Sequence, residues 1–209
     1  TVVLNALSDN QRERVTYMSL EPRATSAQSS IAIEDIDFLD EQNLLSWVGD
    51  NYCQLQHLIH NVISSNLTDS QKLVGHRILA EHWILDETSE GLENHLYHLS
   101  FTNLKSFVAK LYANLDFLGR LNSAAIASIV SNCIEVNGPN SDLAFIESKI
   151  AAYRFEPSVI RDNLEYLTSE QYHEMEFTLA FIEGRISDCD ASLSSVLSQM
   201  SALEQARTL

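Results

Sequence analysis

From about residue 41 onward, apolar side chains recur at every third or fourth position, the spacing of one face of an α-helix. Leu45, Val48, Tyr52, Leu55, Ile59 and Val62 follow this rule and predict a first helix with a single stripe. A second, over about 69–88, has a broader apolar surface from Val74, Ile78, Leu79, Trp83, Ile84 and Leu85, which implies burial on more than one side. A third, over about 90–118, carries Tyr97, Phe101, Leu104, Val108, Leu111, Leu115 and Leu118, with Gly119 as its stop. The segment SAAIASIVSNCIEV (123–136) is apolar nearly all round, as a central helix is, and NGP ends it. Leu143, Ile146, Ile150 and Tyr153 mark a helix that Glu156-Pro157 closes, while Ile160, Leu164 and Leu167 line the one it opens.

The longest regular feature runs from Tyr172 through Met175, Leu179, Ile182, Ile186, Cys189, Leu193, Val196 and Met200 to Leu203 at alternating intervals of three and four. Thr168 and Gln171 form a capping-box pattern just before it. Residues 170–206 thus read as one coiled-coil-like helix of about 55 Å at 1.5 Å per residue, with Gly184 as the point of any bend. Such a period means packing along one seam, against other helices of the chain or against a partner. Glu176, Glu183 and Asp190 make the flank of that seam acidic and suit it to a basic partner.

Residues 1–40 differ. Short alternating stretches (TVVLNAL, VTYMSL) precede the polar EPRATSAQSS and the acidic, apolar IAIEDIDFLDEQ. This reads as an arm that forms a hairpin, or orders on a partner or on the body of the protein. Its apolar set, Ile31, Ile33, Ile36, Phe38 and Leu39, resembles a peptide that docks in a groove, with packing inside the chain as the competing reading. The fold predicted is all-α: a helical bundle of about six or seven helices, a long C-terminal heptad-patterned helix and a partly irregular N-terminal arm. The division is an arm over 1–40 and a helical domain over 41–209.

Composition sharpens this. With 6 glycines and 3 prolines in 209 residues, turn-rich all-β folds are disfavoured. A formal charge of −16 repels phosphate backbones and anionic lipid, which argues against direct nucleic-acid or membrane-surface binding. Cys53, Cys133 and Cys189 are far apart and predict reduced, packed thiols. No stretch reads as a span of about 20 apolar residues, and the first residues do not resemble a signal peptide, so a cytoplasmic setting is expected. Asn66-Leu67-Thr68 would be a glycosylation sequon in a secreted chain.

Two histidine pairs, His57/His60 and His95/His98, have the three-residue spacing of metal ligands. Counting from the apolar stripes turns both pairs toward solvent, so no metal is assigned to them. Glu170 and His173 spell the Glu-x-x-His element of di-iron bundles, but once, where that architecture needs two. His82, between Ile78 and Leu85, is the first candidate for a buried functional group, with His76 and Glu81 beside it. No nucleophile elbow, P-loop, dinucleotide fingerprint or HExxH is present, so no catalytic residue and no cofactor is assigned. The function expected is that of a protein-binding adaptor, regulator or assembly component whose acidic helical surface engages another protein. The alternatives are a helical enzyme or metal-binding protein with a pocket near His76 and His82, and an acidic nucleic-acid mimic that binds a basic protein.

Overall fold

The computed structural model describes residues 6–185 and Asp188. These are mostly helical, with nine α-helices and one small sheet among them. The chain divides into two compact units, Thr1–Asn103 and Leu104–Leu209. The expected boundary near residue 40 is thus replaced by one at Asn103, and the described part of the arm is folded into the first unit.

In that unit, α1 (Asp9–Met18) starts at a capping box in which Ser8 and Gln11 satisfy each other's backbone N–H groups. A two-residue strand β1 (Thr25–Ser26), a 3-10 turn over Ile33–Asp35 and α2 (Ile36–Glu41) follow. Strands β2 (Leu45–Val48) and β3 (Tyr52–Leu55) then form a hairpin, and β1 adds to it in the order β1-β3-β2, all antiparallel. Helices α3 (His57–Asn66), α4 (Asp69–Trp83) and α5 (Ser89–Thr102) complete the unit.

The hairpin corrects the first expected helix. Trp47, Val48 and Tyr52 favour strands, and Gly49-Asp50-Asn51 between them is turn chemistry. With period 2, Leu45, Cys53 and Leu55 point into the core while Val48 and Tyr52 stay exposed, so the helical stripe was a coincidence of spacing. The arm's apolar set is similarly employed: Ile36 and Leu39 lie in the core with Val15, Leu44, Leu45 and Leu55, and Ile31 and Phe38 pack against it. Of the five, Ile33 alone is exposed, so the set is not a free docking peptide. α4 stops at Trp83, short of the expected end, and leaves Ile84 and Leu85 in solvent.

In the second unit, α6 (Leu104–Asn137) is broken at Asn122, whose φ of −150° and ψ of 55° are not helical. α7 (Ser141–Arg154), capped by Asn140, packs along it; α8 (Pro157–Asn163) and α9 (Ser169–Ile182) follow. The core of α6 comes from Phe107, Leu111, Leu115, Leu118, Ile126 and Val130. A second cluster joins Phe145, Ile160, Met175 and Leu179. The capping box of Thr168 and Gln171 forms as expected.

Four further expectations change. The helix predicted over 90–118 is interrupted at Asn103, where the backbone extends. Gly119 stops nothing: it lies inside α6, where a Cβ would sit 2.5 Å from the Tyr153 ring, so it is needed for close approach to α7. α9 ends at Ile182, with Gly184 left-handed at φ +70°, and the remainder of the expected 170–206 helix, Asp188 aside, lies outside the described residues. Contrary to expectation, α6 is long and apolar enough, by length and composition, to cross a membrane. The break at Asn122 and its buried face against α7 fit a core helix equally.

The Gly119 contact makes a direct prediction. Gly119→Ala should destabilise the chain by about 1–3 kcal/mol through overpacking against Tyr153, read from urea unfolding. Tyr153→Ala in the same chain should make the added methyl harmless.

Candidate functional site

Sequence order gives no hint that Glu21, His76 and His98 belong together, yet the first unit brings them into one buried chain of hydrogen bonds. Glu21 follows α1 directly, and Pro22 fixes the backbone behind it. Its side chain is only 7% exposed. One carboxylate oxygen accepts from the Trp83 indole N–H at 2.9 Å, and the other accepts from His98 Nε2 at 3.1 Å. His98 is fully buried, and its Nδ1 lies 2.9 Å from Nδ1 of His76.

Chemistry orients this chain. The carboxylate accepts, so His98 Nε2 carries a hydrogen, and one hydrogen is shared between the two Nδ1 atoms. The chain runs from His76 through His98 to Glu21. Burial, with His98 and Lys72 adding to it, lowers the pKa of His76 to about 3, which keeps this ring neutral. Phe101 stacks on His76 at 4.2 Å between centroids, and Tyr97 stands edge-on to it.

A cavity of about 180 Å³ opens beside the Glu21 end, walled by residues of the α1–β1 link, β1, β3 and α3. Arg23, Thr25, Cys53, His57 and His60 line it with Glu21. Arg23 donates from Nη2 to the buried Glu93 carboxylate at 2.7 Å. Burial pushes the Cys53 thiol up, and raises that of Cys133, in the second unit, to about 11, so both are poor thiolate nucleophiles. Among the described residues, no three His, Cys, Asp or Glu side chains converge to hold a metal ion.

The expected site residues disperse. His76 is buried and part of the chain; His82 is half-buried and donates from Nε2 to the Ser29 carbonyl at 2.7 Å, so it is a satisfied structural histidine; Glu81 is exposed and joins neither. The outward placement of the second histidine pair is overturned: His95 is buried and donates from Nδ1 to the Ala80 carbonyl at 2.8 Å, and His98 is the hub of the network. The count failed because it assumed an apolar interior, whereas α5 buries Glu93, Asn94, His95 and His98 together. His57 does face solvent, and His60 is half-buried at the cavity rim.

On α9, Glu176 is half-buried, while Glu183 accepts from Arg161 and from Arg185, contacts that lower its pKa. A carboxylate so neutralised has little left to steer a basic partner. Asp190 lies outside the described residues. No protein-family model matches the chain, and neither a curated protein nor a solved structure matches it.

The buried histidine sets an acid response. An unfolded histidine titrates near 6.5, so below that pH the unfolded chain binds a proton at His76 that the folded chain refuses until about pH 3. Stability is therefore intact above 6.5 and falls as pH drops, by up to about 1.4 kcal/mol per pH unit from this group. Between pH 7 and 5 the wild-type chain should lose about 2 kcal/mol more than His76→Gln in urea unfolding. Equal losses would place the acid sensitivity elsewhere.

Proposed function

We propose that this chain is a protein-binding component, an adaptor or assembly factor, whose partner presents an apolar side chain within a basic surface. The observation that carries the reading is the outer face of α6. Phe117 and Leu121, one turn apart, are 55% and 57% exposed, and with Asp116 and Arg120 they line an open groove. Large apolar side chains adjacent on one helix face, rimmed by charge, are the usual mark of a protein contact. Tyr153 donates to Asp116 at 2.6 Å, which holds one side of the groove in place.

Charge supports the choice of partner. At −16 the chain attracts a basic surface over long range and repels nucleic acid and another acidic protein. The competing reading, a ligand pocket in the first unit, is favoured by the cavity beside Glu21 and is developed below.

Capture from a lysate of the source organism, with wild-type and Phe117→Ser/Leu121→Ser chains side by side, tests this. The expected result is a basic protein held by the wild-type chain, lost from the variant, and released as salt approaches 1 M, where the screening length is about 3 Å. The variant must melt at the wild-type temperature. Identical retention by both chains, or no basic protein at all, rejects the reading.

A further inference from the structure

We propose that the cavity beside Glu21 binds a small zwitterion, a free amino acid with a short side chain. Its walls carry both signs of charge, from Glu21 and Arg23. Glu21 presents a carboxylate in which two hydrogen bonds, from Trp83 and His98, leave further lone-pair sites open. Arg23 uses one guanidinium N–H on Glu93, and its other donors make no hydrogen bond among the described residues. A simple anion would meet Glu21 and a simple cation would meet Arg23. A molecule with an ammonium and a carboxylate on one carbon answers both.

Thr25 supplies the independent sign of a ligand. It is only 3% exposed, it lines the cavity, and its hydroxyl has no hydrogen-bond partner among the described residues. Yet that oxygen is not among the buried atoms left unpaired, so it is open to a molecule the size of water. A nearly buried threonine on a polar wall, its hydroxyl without a partner among the described residues, is a donor that a bound carboxylate could accept from. Gln54, on β3, and His60, on the first turn of α3, stand on the same walls. The accessible space of about 180 Å³ admits an amino acid with a short side chain.

Titration calorimetry on the full chain tests this, with glycine, L-alanine and L-serine as ligands, acetate and methylamine as half-ligands, and L-tryptophan as the oversized control. Saturable one-to-one binding of at least one small amino acid is expected, with each half-ligand and tryptophan at least tenfold weaker. Thr25→Val, which keeps the shape, should weaken binding about tenfold, and Arg23→Gln by more. Phe117→Ser/Leu121→Ser should leave it unchanged. Thr25→Val keeps the test valid if Arg23→Gln, which removes the Arg23 ion pair from Glu93, does not fold. The proposal is overturned if none of the three small amino acids binds saturably, if acetate or methylamine binds as tightly as they do, or if a folded Thr25→Val chain binds at full strength.

Discussion

A carboxylate leaves water at a cost of several kcal/mol unless it finds partners, and Glu21 is the carboxylate around which the first unit is arranged. Its two oxygens reach Trp83 on α4 and His98 on α5, so one side chain fixes the link after α1 against both long helices of the unit. The histidines meet because of this demand. His98 must hold Nε2 toward Glu21, which leaves Nδ1 to be satisfied, and His76 is the group on α4 that satisfies it. The same unit repeats the solution with Glu93, buried and paired to Arg23, and with Glu90, which accepts from the Tyr52 hydroxyl and the Ser26 backbone. Its core is apolar where α1, α2 and the hairpin meet, and mixes buried histidines with Leu79, Trp83 and Leu96 on α4 and α5.

This division explains what was legible in the sequence. Helical periodicity located α7 and the inner residues of α8 and α9, because those elements bury apolar faces and show it; it located α4 as well, but the expected burial on more than one side fails, since Val74, Ile84 and Leu85 are exposed. The Thr168 capping box and the Asn137-Gly138 end were readable from a few residues, since caps are local chemistry. The hairpin was missed because Leu45, Val48, Tyr52 and Leu55 fall at helical intervals by coincidence, although on the strands Val48 and Tyr52 lie on the exposed face, and the turn residues Gly49, Asp50 and Asn51, which decide the matter, were outvoted by spacing. The histidine chain was out of reach for a different reason. Glu21 and His98 are 77 residues apart, and no local pattern announces a pairing made only by tertiary structure.

In the second unit the decisive residues are small or irregular ones. Asn122 breaks a helix whose composition alone would carry it on, and Gly119, three residues before, lets the Tyr153 ring lie against the backbone. Together they let one long apolar stretch serve as two packed segments. The aromatic and aliphatic side chains that find no place inside, Phe117 and Leu121 among them, are left on the outside of the same helix.

The contact between two like nitrogens has a consequence of its own. Only one hydrogen fits between Nδ1 of His76 and Nδ1 of His98. When that hydrogen belongs to His98, His76 carries its own on Nε2; when it belongs to His76, Nε2 is a bare acceptor. The choice between the two rings is thereby registered on the far side of His76, as a donor or an acceptor, without either histidine leaving its position.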